Sequence, residues 1–237
     1  MKTFLSWSGG KDSSMCLYKA GQQGLQINAL VTSVNQVHDR ISMHGVRRSL
    51  LEQQAKALGL PLYTVELPEQ PDMQQYEAEI SKTWQQLKRE QYTKAVFGDI
   101  FLEDLKQYRE QQLAKEGLEG VFPLWKLDSR DLMNEFIAAG FKAIIVCVNN
   151  QMLPQSFFGR LLDENFVRDC PEGVDICGEN GEYHSFVFDG PIFNYPVSFT
   201  IGETVYREYK APTDEKDECF TTPRPPAAFS FLDLLPV

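Results

Sequence analysis

The sequence predicts an α/β protein: a doubly wound parallel sheet followed by a smaller α+β C-terminal domain. Three observations carry this reading. Apolar runs of strand length alternate with amphipathic helical stripes from Thr3 to Phe122. Glycine-bearing loops follow two of those runs, at the strand ends where such sheets bind ligands. Beyond Leu127 the alternation gives way to strand-like runs separated by Pro, Gly and Asn turns.

The first run, Thr3-Phe4-Leu5-Ser6-Trp7, is a strand that breaks into Ser8-Gly9-Gly10 and is followed by a helical run from Met15 to Ala20. Gly21 and Gly24 mark the next turn, and residues 27–34 form a buried strand. Val46, Leu50, Leu51, Ala55 and Leu58 make the stripe of a helix that Gly59 and Pro61 terminate. Residues 62–67 are a third strand, and 73–91 a long helix with Tyr76, Ile80, Trp84 and Leu87 on one face, Trp84 being core. A short strand at 95–98, a helix around 102–115 and Val121-Phe122 complete a first domain, residues 1–126. In the second, 127–210, a helix at 129–139 leads through Gly140 into a strand at 142–148, with further strands at 186–188 and 197–200. Residues 211–237 mix Pro212, Pro223, Pro225 and Pro226 with acidic residues and read as an extended tail.

At 237 residues, 43% hydrophobic and 24% charged, the chain can bury a sizeable core. No apolar run is long enough to span a bilayer and no signal peptide opens the sequence, so a soluble cytoplasmic protein without membrane partners is expected. A net charge of −10 disfavours nucleic acid as a partner, which depends on phosphate neutralisation by Lys and Arg. The best local basic candidate, His44-Gly45-Val46-Arg47-Arg48, reads equally as part of a crevice or as a solvated helix start. Five scattered cysteines, Cys16, Cys147, Cys170, Cys177 and Cys219, form no Cys-x-x-Cys pair, which fits a reduced chain. Cys16 and Cys147 sit in apolar runs and are read as packing residues. A homo-oligomer is compatible with the sequence, and nothing in it shows one.

The chemistry concentrates in Ser8-Gly9-Gly10-Lys11-Asp12-Ser13. It is not a Walker loop, because Asp12 follows Lys11 and Leu5 stands at the first glycine position. Nor is it a dinucleotide loop, because Gly9 and Gly10 are adjacent. Strand, glycine turn and helix still present backbone N–H groups to an anion, with Lys11 and the hydroxyls of Ser8 and Ser13 as further donors. A turn alone accounts for the glycines but not for the Lys, Asp and Ser gathered with them. The loop after the strand at 95–98, Gly98-Asp99, lies at the same sheet end and could share the crevice.

The motif SGGKDS resembles the pyrophosphate loop (PP-loop) of the ATP pyrophosphatases, which have a HUP-like parallel α/β fold and split ATP into AMP and pyrophosphate. The resemblance implies that Ser8, Gly9, Gly10, Lys11, Asp12 and Ser13, with Gly98, contact the nucleotide, and that Mg²⁺ bridges its phosphates. No residue is assigned as a metal ligand.

A second motif, Asp175 to Phe193, reads DICGENGEYHSFVFDGPIF. Glu179 and Glu182 flank the Asn180-Gly181 turn and suit a polar ligand, though an acidic hairpin accounts for them too. If a strand follows, His184 shares a face with Phe186 and Phe188, and a buried histidine and a functional one stand as equal readings. Together with FGDI at 97–100, FPLW at 122–125 and FFGRLLD at 157–163, the two motifs resemble the diphthine–ammonia ligase family over most of the chain up to Phe193. That family adenylates the carboxylate of diphthine on elongation factor 2, and ammonia displaces AMP. The resemblance implies an ATP-dependent amide ligase, with Lys11 and Asp12 on the phosphates, Asp99 near the nucleotide or Mg²⁺, and Glu179 and Glu182 orienting acceptor or ammonium. Free ammonium is the expected nitrogen source, since Lys2 follows Met1 where a processed nucleophilic cysteine would stand. Arg109, on the helix after Gly98-Asp99, could approach phosphates, a surface salt bridge being the preferred reading, and Arg160 could meet an anionic group. Two alternatives remain: an adenylating enzyme acting on another acceptor, a small carboxylate or tRNA, and an adenine-nucleotide sensor without chemistry. The acceptor itself is not legible.

Overall fold

A computed structural model describes residues 1–209 and 227–237. The first sheet contains β1 (Lys2–Ser6), β2 (Ala29–Asn35), β3 (Arg40–Ile41), β4 (Leu62–Leu67), β5 (Tyr92–Val96) and β6 (Glu119–Val121). Its parallel strands run β4-β2-β1-β5-β6. The short β3 pairs antiparallel with the end of β2, beyond the last pair that β1 makes at Ser6. The chain therefore reverses its direction of travel across the sheet at β1, and a crevice opens between the carboxyl ends of β1 and β5.

Alternation along each strand explains the double winding. Phe4, Ala29, Val31, Ala95 and Phe97 face one way, into a core with Trp84, Leu87 and Leu113 from α3 (Met73–Arg89) and α4 (Glu103–Glu116). Leu5, Leu30 and Val96 face the other, against Met15 and Cys16 of α1 (Lys11–Gln22) and Leu50, Leu51 and Ala55 of α2 (Arg48–Leu58). Gly59, in the left-handed region at φ 69°, ends α2 as expected. Asp72 and Gln75 close a capping box at the start of α3. Trp84 is core, as read from its helical spacing.

The second sheet is antiparallel, in the order β8-β7-β10-β9. Its members are β7 (Lys142–Asn149), β8 (Tyr183–Asp189), β9 (Phe199–Tyr209) and β10 (Ala227–Pro236). Phe136 of α5 (Ser129–Ala138), Phe166 of α6 (Glu164–Asp169), Ile145 of β7 and Leu234 of β10 belong to the same continuous core as Leu5 and Met15. The mixed α/β fold with a smaller second sheet is therefore present as expected. One expectation is corrected. Ala227–Pro236, read as part of a tail, is an inner strand of the second sheet. Ser230, Leu232 and Leu234 are buried at alternate positions, a strand pattern that the preceding prolines obscured. Pro212, Pro223, Pro225, Pro226 and Cys219 lie outside the described residues.

β10 also ties the second sheet to the first. Asp233 receives Arg47 Nε at 2.9 Å, Arg47 Nη2 at 2.6 Å and Arg40 Nη1 at 2.8 Å. These bonds hold its carboxylate down to about 2, well below the usual range. A depressed carboxylate stabilises the fold above its unfolded pKa and loses that contribution as pH falls through its folded one. Asp233→Asn should therefore cost on the order of 2 kcal/mol at pH 7. Urea unfolding is expected to show that the gap between variant and wild type narrows steadily as pH falls from 4 toward 2.

Candidate active site

The loop after β1 is built by backbone constraints. Trp7 is buried; its N–H donates to Val31 O at 2.8 Å and its carbonyl accepts Thr32 Oγ1 at 2.6 Å. Gly9 lies in the left-handed region at φ 77°, and a Cβ there would stand 2.6 Å from Gln54 Oε1. A Cβ on Gly10, the N-cap of α1, would meet His44 Cε1 at 2.8 Å and the Ser185 carbonyl at 3.0 Å. Both positions require glycine for space, and Gly9 for conformation as well. Gly10 supplies no side-chain cap, so the first-turn N–H groups of α1 lack an intrahelical acceptor and suit an anion.

Gln54 and β8 hold the loop in place. The fully buried Gln54 accepts Trp7 Nε1 at 3.1 Å and donates Nε2 to Gly9 O at 3.0 Å and Val187 O at 2.6 Å. Val187 N also donates to Gly9 O, at 2.9 Å, and Lys11 N donates to Ser185 Oγ at 3.1 Å. The strand within the second motif thus lies directly on the first.

Together they line a crevice of ≈ 260 Å³ whose walls include Ser8, Lys11, Asp12, Ser13, Gly98 and Asp99. Arg109, Glu179, His44, Tyr183, His184 and Ser185 line it as well. Lys11 is buried, with Nζ 2.5 Å from Asp12 Oδ1 and 5.6 Å from the Tyr183 ring centre. Burial opposes its charge, but Asp12 outweighs that and keeps the ammonium protonated beyond the usual lysine range. The buried Asp99 pairs with Arg109 Nε at 2.8 Å. Gly98 lies so close to α1 that a Cβ would sit 3.0 Å from Asp12 O. Glu179 Oε1 accepts Ile100 N at 2.8 Å; burial, then the neighbouring Asp12, push its carboxyl up to about 7.

Most of the expected residues meet here. Ser8, Lys11, Asp12, Ser13, Gly98, Asp99 and Glu179 face one space, and Gly9 and Gly10 form the turn beneath it. Glu182 does not. It is fully buried and accepts Asp175 N, Asn180 N and Asn180 Nδ2 at 3.0, 2.9 and 3.0 Å. Its carboxylate turns back beneath the Asn180-Gly181 turn to satisfy those donors, so it shapes the loop that presents Glu179. Arg109 makes a salt bridge, as the preferred reading had it, but with Asp99 on the crevice wall, where the other reading placed it, rather than at the surface. Of the basic run at 44–48, only His44 lines it; Arg47 pairs with Asp233 and Arg48 with Asp39 and Glu66. Arg160 pairs with Asp169 and lies over the Phe157 ring, away from the crevice. Cys16 and Cys147 are buried thiols, and burial pushes Cys147 up to about 12, consistent with packing. Gln54 and Ser185 were not singled out as site residues, since a lone Gln in a helical stripe or a Ser in a strand carries no local signal; for His44 the crevice reading of its run is the one the structure bears out.

Comparison with known proteins places the chain in one family. Residues 1–119 match the diphthamide synthase N-terminal domain and residues 128–213 the diphthamide synthase C-terminal domain. The diphthine–ammonia ligase of Danio rerio is 31% identical over 84% of this chain and 86% of its own length. That of Homo sapiens is 29% identical over 84% and 82%. The Schizosaccharomyces pombe enzyme is 26% identical over 92% of this chain, which spans 40% of that longer protein.

Gln54→Leu keeps the volume of the side chain but orphans Trp7 Nε1 and one acceptor bond each on Gly9 and Val187. It should cost about 3 kcal/mol of stability and weaken nucleotide binding at least tenfold, as read by urea unfolding and calorimetric titration.

Proposed function

The chain belongs to the diphthamide synthase family, and from that membership we propose that it is an ATP-dependent, AMP-forming ligase joining ammonia to a diphthine-type carboxylate. The observation that carries the reading is the direct bonding of Ser185 and Val187 to the Gly9–Lys11 backbone. It makes the two motifs walls of one crevice, one suited to phosphate and the other bearing a carboxyl group.

Amide formation at neutral pH needs a better leaving group than hydroxide, and a mixed anhydride with AMP provides one. The acceptor carboxylate attacks the α-phosphorus while pyrophosphate leaves. Lys11, the α1 N-terminus and the Ser8 hydroxyl are donors for the charge that gathers on the departing group, while Ser13 Oγ donates to Gly10 O at 3.0 Å and steadies the turn. Their orientation is set before substrate arrives, by Gln54 and β8. Ammonia then attacks the acyl carbon and AMP leaves. Glu179 stands beside the crevice as the group that orients ammonium in its carboxylate form and accepts its proton.

Mg²⁺ is part of the proposal. Among the described residues no three His, Cys, Asp or Glu side chains group to hold a metal by themselves, so phosphates and water would supply most of its ligands. Asp99, the carboxylate at the end of β5 in the same space, would be its one protein ligand, with Arg109 holding that carboxylate in place through Nε at 2.8 Å and Nη2 at 3.3 Å. Bound there, the ion would neutralise phosphate charge. Elongation factor 2 bearing diphthine is the acceptor proposed. No helix among the described residues is long and apolar enough to cross a membrane.

Incubation with ATP, Mg²⁺, ammonium and diphthine-bearing elongation factor 2 should yield AMP and the amide, and ADP as the product would overturn the reading. Lys11→Ala should lower the rate about 10²–10³-fold. Because the Glu179 carboxyl is raised to about 7, it is protonated below that pH and charged above it. The rate should climb as pH rises through 7, and Glu179→Gln should remove that limb of the profile.

A further inference from the structure

The mechanism above uses neither of the two histidines that line the crevice. His44 and His184 stack at 4.6 Å between ring centres, tilted by 33°. The Ser185 carbonyl lies 3.2 Å from His44 Nδ1 and can only accept, so His44 carries its proton on Nδ1. His44 also abuts the phosphate loop, its Cε1 standing 2.8 Å from where a Cβ on Gly10 would be. His184 Nε2 is buried and has no hydrogen-bond partner, while the side chain lines the crevice. A buried ring nitrogen left unpaired costs free energy unless something else completes it.

Resting on the adenylation reading, we propose that His184, backed by His44, is a further catalytic residue: its Nε2 takes up a proton from solvent as the nucleotide binds and donates it to the pyrophosphate that leaves. The proton and electrons balance. A carboxylate oxygen of the acceptor bonds to the α-phosphorus, the bond from that phosphorus to the α–β bridging oxygen breaks, and the bridging oxygen keeps the electron pair. The proton passes from Nε2 to a pyrophosphate oxygen, and His184 returns to its neutral form for the next cycle.

The surroundings explain why uptake is coupled to binding. In the crevice without nucleotide, burial holds both rings neutral; His44 is lowered to about 4, and His184 is lowered further by His44 and Lys11. The other charged or titratable groups facing this space are Asp12 on α1, Tyr183 on β8, Glu179 in the preceding loop and the Asp99–Arg109 pair after β5. Phosphate charge arriving beside the rings reverses that balance and favours imidazolium. A pair held neutral at rest spares the crevice another cation beside Lys11 and Arg109, and supplies one when the phosphate charge arrives.

Calorimetric titration of the full chain with pyrophosphate and Mg²⁺ at pH 7, in two buffers of different ionisation enthalpy, counts the protons taken up. Wild type should take up about one proton more per site than His184→Gln. The glutamine keeps a donor at similar reach and should bind within about tenfold of wild type. Equal uptake in the two proteins would overturn the proposal. The protein has three histidines, so ¹⁵N-histidine spectra of wild type give a second test that needs no substitution. Pyrophosphate should move the His184 ring to imidazolium shifts, and a ring that stays neutral would overturn the proposal. Wild type that binds neither ATP nor pyrophosphate would instead overturn the adenylation reading itself, an outcome distinct from binding without proton uptake.

Discussion

The Gln54 side chain joins three parts of the molecule that the chain brings together from far apart. Its amide reaches the end of the first strand through Trp7, the glycine turn through Gly9, and the second sheet through Val187. Without it Trp7 Nε1 would lose its acceptor and Gly9 O and Val187 O one donor each, so the three positions do not relax independently. The left-handed Gly9 follows from this, because a side chain there would occupy the place of Gln54 Oε1. So does the position of Ser185, two residues before Val187 on the same strand, where its hydroxyl meets Lys11 N. A phosphate-binding loop held on both sides by hydrogen bonds needs little reorganisation when its ligand arrives, which is where much of the catalytic advantage of fixed dipoles lies.

Charge in the crevice obeys a similar economy. The protein carries a net charge of −10 and yet is read as binding a polyphosphate. The acids facing the site are each offset locally: Asp12 by Lys11, Asp99 by Arg109, and Glu179 by burial that favours its protonated form. The overall charge therefore says little about the field a nucleotide meets, which is set over distances shorter than a Debye length.

How much of this could be read from the residues depended on whether the signal was local. The glycine loop was legible because strand, turn and helix are contiguous and because Lys11, Asp12 and Ser13 have no structural reason to gather there. The double winding was legible from the alternation of apolar runs, and Phe4 against Leu5 on opposite faces is its direct expression. Glu182 was misread because nothing in Glu-Asn-Gly-Glu says which carboxylate faces outward; three backbone and amide donors decide it. Alternation in β8 put His184 and Ser185 on opposite faces, yet both line the crevice, beside the register shift opposite Ile145 and Cys147. Gln54 was invisible for the opposite reason: its three partners lie on segments that only the folded chain brings near.

The pairing of β10 between β7 and β9 bears on how the protein is made. Asn150 and Ser230 bond to each other across 80 positions of sequence. Closing so long a loop is entropically costly, and contacts of this kind form late. A nascent chain that has emerged as far as β8 already contains every crevice residue, but β7 has only β8 beside it and lacks β10, and Arg40 and Arg47 lack Asp233. The segment bearing His44 between those arginines is then unbraced, and Gly45 has no Phe231 to rest against. Synthesis thus delivers the phosphate loop before the strand that braces the His44-bearing wall of its crevice.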